Sequence, residues 1–152
     1  MRRIIIELPK YNWTVRYYQN SAPSDYAEIY DALKQIGCTG KALDDAKRHL
    51  VSNKKNKGLT YSNIKDGQSV VAVSESTSDE EFVNTMSHEV HHAVSHICEK
   101  YGLDMFSEEM SYLTGYLCGK CYVLILSLLA MKLYRFFLAF LVRFWKQMQC
   151  IV

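Results

Sequence analysis

An α+β fold is predicted for this chain, with a small antiparallel sheet packed on two helices and an extra apolar helix at the C-terminus. Three observations carry it. Segments rich in β-branched and aromatic residues open the chain, two strand-like runs flank an Asp-Gly turn in the middle, and a long amphipathic helix with a clear start follows. Taken in order, Ile4 to Leu8 and Trp13 to Tyr18 read as strands interrupted at Pro9. Behind Pro23-Ser24-Asp25, residues Tyr26, Ile29, Tyr30, Leu33 and Ile36 recur at helical spacing until Gly37 stops them. A short helix from about Lys41 to Val51 carries Leu43, Ala46 and Leu50 on one side. Leu59 to Ile64 and Ser69 to Ser74 flank Lys65-Asp66-Gly67-Gln68, whose Asp and Gly tolerate the dihedrals of a hairpin turn. Ser78-Asp79-Glu80-Glu81 is a capping box, in which the serine and the glutamate three residues on satisfy each other's free backbone donors. From there Phe82, Val83, Met86, Val90, Ala93, Val94 and Ile97 hold an apolar stripe up to Tyr101-Gly102.

The 152 residues, 49% of them hydrophobic, suffice for one domain with one core. A net charge of +2 is too mild to call for a nucleic-acid partner. The basic run Asn53-Lys54-Lys55-Asn56-Lys57-Gly58 has no aromatic residue on which a base could stack, and it reads as a solvated turn between a helix and a strand. No nucleic acid is therefore expected. The cysteines Cys38, Cys98, Cys118, Cys121 and Cys150 form an odd set, and the apolar stretch at Ile4-Ile5-Ile6 is too short for a secretory signal. Reduced thiols and a cytoplasmic location are the expectation. The lone Cys118-Gly119-Lys120-Cys121 has no second pair to make a metal knuckle, and its thiols are expected to pack in a helix.

The chemistry lies in His88-Glu89-Val90-His91-His92. One helical turn separates His88 from His92, so both imidazoles can grip one ion, and Glu89 follows the first histidine, where a carboxylate reaches a metal-bound water without being a ligand. The pair points about 200 to 240° away from the apolar stripe, so it faces something other than the core. An open catalytic zinc site needs a third protein ligand and leaves the fourth position to water. His96 is a further turn along the axis and His91 points aside, which leaves the carboxylates of the next helix, beginning near Asp104-Met105-Phe106-Ser107-Glu108-Glu109.

Together, His88-Glu89-Val90-His91-His92 and Glu108-Glu109-Met110-Ser111-Tyr112 resemble the gluzincin type of HExxH zinc metallopeptidase, in its minimal prophage, SprT-like or ImmA-like form. The resemblance covers about Leu59 to Tyr122. It implies Zn2+ held by His88, His92 and Glu108, with Glu89 as general base, hydrolysis of peptide bonds in a peptide or protein substrate, and a metallopeptidase domain over residues 1–121. Glu108 is implied over Glu109 by the family spacing to Ser111. Where many family members have an aspartate beside a ligand histidine, this chain has Tyr112. Glu109, Glu81 or a backbone oxygen is then a candidate acceptor for the free N–H of a ligand histidine, and Tyr112 or Tyr116 a candidate donor to the oxyanion. The resemblance also implies that the strand Ser69 to Ser74 is the edge on which an extended substrate is held.

Residues 122–152 differ in kind. Tyr122 to Met131 is nearly all apolar, and no acidic residue occurs after Glu109. Lys132, Arg135, Arg143 and Lys146 form a narrow basic stripe against Phe136, Phe137, Phe140, Leu141, Phe144 and Trp145. Such a tail can lie on an anionic membrane surface, bind a partner protein through residues 122–149, or pack in an oligomer, and Lys132 and Arg135 count against a membrane span. The alternative function is a non-catalytic zinc-, membrane- or partner-binding protein with a vestigial HExxH site.

Overall fold

Period-two alternation in the first residues builds two strands, β1 (Arg2–Leu8) and β2 (Trp13–Ser21). A 3-10 turn over Pro9–Tyr11 reverses the chain, with Asn12 in the left-handed region at φ 40°, and the strands pair antiparallel from Leu8↔Trp13 to Arg2↔Gln19. The computed structural model describes residues 1–52 and 54–122. After a second 3-10 turn, whose Asp25 carboxylate accepts the Ala22 N–H at 2.9 Å, come α1 (Tyr26–Gln35) and α2 (Gly40–Val51). Gly37 at φ 83° breaks the chain between them. The hairpin strands β3 (Gly58–Asn63) and β4 (Gln68–Ser74) follow, then α3 (Asp79–Tyr101), then α4, whose described part runs over 108–122.

The sheet order is β1-β2-β4-β3, and β4 runs parallel to β2 from Thr14↔Gln68 to Ser21↔Ser74. The fold is α+β as expected, but the sheet is mixed rather than antiparallel. The reason lies in β4 itself. Val70, Val71, Ala72 and Val73 are all buried, so both faces of the strand need cover and it takes an interior place. The expectation of β4 as a substrate edge is corrected accordingly, because β4 is hydrogen-bonded on both sides and β3 is the outer strand next to it.

Helices cover both faces. On one, Tyr18, Val70 and Ala72 pack with Ile29, Leu33 and Ile36 of the α1 region and with Ala46 and Leu50 of α2, joined by Leu59 and Tyr61 of β3. On the other, Trp13 bonds Ser69 across the strands (Nε1 to Oγ 2.9 Å), and Lys100 of α3 lies over the Trp13 ring, 5.4 Å from its centre. Burial pushes the Tyr17 hydroxyl well above its ordinary range, with Cys121 and Cys118 of α4 adding to the shift. The α4 stripe Met110, Leu113, Leu117 and Cys121 is buried. Its first turn is anchored by Glu109, whose Oε1 accepts from Lys10 Nζ at 2.5 Å and from the Tyr11 hydroxyl at 2.7 Å.

Met1–Cys121 forms one compact unit. The apolar tail helix expected over residues 122–152 lies, apart from Tyr122, outside the described residues. Among the described residues no helix is long and apolar enough to cross a membrane.

Leu33 is fully buried between α1, α2 and the sheet. Leu33→Ala should therefore lower unfolding stability by about 2–5 kcal/mol, read as a fall in the urea midpoint with an unchanged slope.

Candidate metal centre

The helix that carries the motif has well-defined ends. Ser78 Oγ accepts the Glu81 N–H at 3.2 Å, and Gly102 at φ 61° closes the C-terminus, where the Leu103 N–H returns to the Cys98 carbonyl at 3.0 Å. The carboxyl held by Ser78 is that of Glu80, which lies below its ordinary pKa because of its own backbone N–H and the Ser78 hydroxyl.

At about 100° per residue, Met86, Val90, Ala93 and Ile97 form the core-facing stripe, and Thr85, Glu89, His92 and His96 form a polar flank beside it. Strand β3 is built to meet that flank. Leu59 and Tyr61 face α1 and α2, and the alternate residues Gly58, Thr60 and Ser62 face α3. A side-chain carbon on Gly58 would come within 2.2 Å of the Glu89 Cγ, so any larger residue there would force this carboxylate to move. Thr60 Oγ1 stands 2.7 Å from Glu89 Oε2 and 3.0 Å from the Glu89 carbonyl oxygen, and its one proton serves the nearer acceptor better. Glu89 is only 6% exposed.

Further along, Ser62 Oγ bonds His96 Nδ1 at 2.9 Å and Ser69 Oγ at 2.7 Å, and Ser69 accepts from Trp13. Burial lowers the His96 pKa against the raising effect of Glu99 and together with the lowering effect of His92. This chain of hydrogen bonds commits His96 to positioning α3 on β3.

His88 and His92 sit on the exposed side, with Nε2 atoms 3.1 Å apart and rings perpendicular. That is a hydrogen-bonding distance, close to the roughly 3.3 Å that separates two nitrogens bound to one tetrahedral zinc at about 2.0–2.1 Å. Glu108 is exposed on the first turn of α4, about 180° from the buried stripe of that helix. Among the described residues no three His, Cys, Asp or Glu side chains converge on a common point. The structure thus brings His88, His92 and Glu89 together on one helix and does not bring Glu108 to them. Glu109 is engaged by Lys10 and Tyr11, which hold its carboxyl below the ordinary range. Tyr112 and Tyr116 are 76% and 48% exposed, with Lys120 stacked over the Tyr116 ring.

A cleft of about 310 Å³ opens at this end of α3. Thr85, His88 and Glu89 form its α3 side, Asn56, Lys57 and Gly58 its wall, and His49 of α2 contributes from across. The sequence reading missed Gly58, Thr60 and the cleft wall. Their signal was the small or polar alternation of Gly58, Thr60 and Ser62 in a strand whose other face is apolar, whereas His49 has no local signature at all.

No family model matches the chain, and no curated protein or solved structure matches it significantly.

Gly58→Ala should displace the Glu89 side chain and lower stability by about 1–3 kcal/mol in urea unfolding. The same substitution at exposed Gly119, which has open space around it, should leave the Glu89 site undisturbed and cost no such overpacking penalty.

Proposed function

We propose that the chain is a zinc-dependent peptidase that uses Glu89 as its proton acceptor. The observation that supports it most is the His88–His92 nitrogen pair, 3.1 Å apart, beside a buried carboxylate from the same helix. His88 and His92 would hold the ion, with Glu108 as third donor by the family spacing and Glu109 as its competitor. Zinc, when bound, supplies a water of lowered pKa and a positive charge that polarises the scissile carbonyl.

The chain's own residues divide the remaining work. Thr60 holds Glu89 Oε2 and so orients the carboxylate. The carboxylate of Glu89 lines the cleft with His88, where it can take a proton from an attacking water and return it to the departing amine. Strand β3 pairs on one side with β4, and its outer edge is free of strand pairing among the described residues. An extended peptide would add there through backbone hydrogen bonds. A cytoplasmic setting, with attachment to a membrane or partner through residues 122–149, accompanies this reading.

The test is zinc content and peptide cleavage in wild type, Glu89→Gln and His88→Ala. Wild type should bind about one zinc per chain and lose activity to a chelator. Glu89→Gln should keep the zinc and lose cleavage by about 10²–10⁴-fold, and His88→Ala should lose the metal. Full activity in Glu89→Gln would sink the mechanism, and wild type without zinc would sink the site and leave a non-catalytic binding protein.

A further inference from the structure

The basic run after α2 reads from sequence as a solvated turn, yet its last residues form one wall of the Glu89 cleft. That wall is fixed from two sides. Asn56 adopts the left-handed conformation at φ 57°, and its side-chain amide is clamped by Thr77, with Oδ1 accepting the Thr77 N–H at 2.8 Å and Nδ2 donating to Oγ1 at 2.8 Å. The Lys57 backbone donates to Ser74 Oγ at 3.0 Å and accepts the Ser74 N–H at 2.9 Å. A charge carried on this wall is therefore held in place at its root, not swung on a loose loop.

The charge itself is unused. Arg3, Lys10, Lys34 and Arg48 each pair with a carboxylate, whereas Lys54 and Lys57 have no ion pair among the described residues. Lys54, Lys57 and His49 also line a smaller recess that shares His49, Lys57 and Gly58 with the cleft, so the two lysines stand on adjoining surfaces. The one acidic residue lining the cleft is Glu89, and Thr60 already occupies one of its oxygens. Asn84 and His49 add hydrogen-bonding groups on the facing sides.

We infer that the wall formed by Lys57, with His49 and Lys54 at its mouth, is a subsite for a carboxylate of the substrate, beside the bond that Glu89 serves. The substrate class is then a peptide bearing either an acidic side chain or a free C-terminus at that place. This rests on the peptidase reading, since Glu89 is what makes the cleft a reaction site. Cationic groups beside a cleft act on a charged ligand more strongly than on a flat surface, because low-dielectric walls focus their field. The preference should weaken as salt is raised.

Binding to full-length Glu89→Gln protein tests this without relying on turnover. Three labelled alanine-based peptides are compared by fluorescence anisotropy: one with two glutamates and an amidated end, its glutamine twin, and the glutamine peptide with a free C-terminal carboxylate. At least one charged peptide should bind about five-fold tighter than the neutral one, and which of them gains assigns side chain or terminus. Added Lys57→Gln should erase the advantage, and Lys55→Gln, exposed but not on the cleft, should leave it intact. Equal binding of all three peptides, or an advantage that survives Lys57→Gln, would overturn the subsite. Cleavage by wild type distinguishes the two readings. If all three peptides are cut with equal kcat/KM, the peptidase stands and the subsite falls. If none is cut while Lys57-dependent binding persists, the subsite stands and the peptidase falls.

Discussion

The arrangement depends on one interaction, the seating of a buried Glu89 carboxylate against strand β3. An ionised carboxylate taken out of water costs several kcal/mol unless a donor meets it, and here one strand supplies both the space and the donor. Gly58 provides the space and Thr60 the hydroxyl. Two residues on, Ser62 takes His96 in the same way. These contacts fix the rotation of α3 about its axis. With Glu89 turned inward, the angular offset set by the helix leaves His88 and His92 exposed, and His88 lines the cleft beside Glu89. The same seating keeps β3 against the helix, and among the described residues the outer edge of β3 has no neighbouring strand.

Much of the fold was legible because its signals are local. Ser78 and Gly102 mark the ends of α3, Gly37 stops α1, Pro9 interrupts the first two strands, and the hairpin between β3 and β4 follows from its turn residues. The order of the strands was not, since the pairing of β2 with β4 joins residues more than fifty positions apart. Its trace was present in the unbroken apolar run of Val70 to Val73, which calls for cover on both faces and hence an interior strand.

The candidate site divides along the same line. His88, Glu89 and His92 stand together because a single helix spaces them. Where Glu108 points depends on how α4 is rotated, and Lys10 and Tyr11 reach Glu109 on that first turn from the other end of the chain. No periodicity encodes such a contact. On the first turn of α4 the structure shows Glu109 as an anchor and Glu108 exposed, apart from the two histidines. The basic run shows the converse case: its composition reads as a solvated turn, but the clamp of Asn56 to Thr77 makes its end part of a cleft.

The central claim is that His88 and His92 hold zinc through nitrogen, with the rest of its shell supplied by oxygen. X-ray absorption at the zinc edge of the metal-loaded full chain tests it most directly. The account predicts a shell of nitrogen and oxygen at about 2.0–2.1 Å containing two imidazoles, with the imidazole signature lost in His92→Ala. A sulfur shell at about 2.3 Å, as the cysteines would give, or a zinc shell without imidazole, would contradict it.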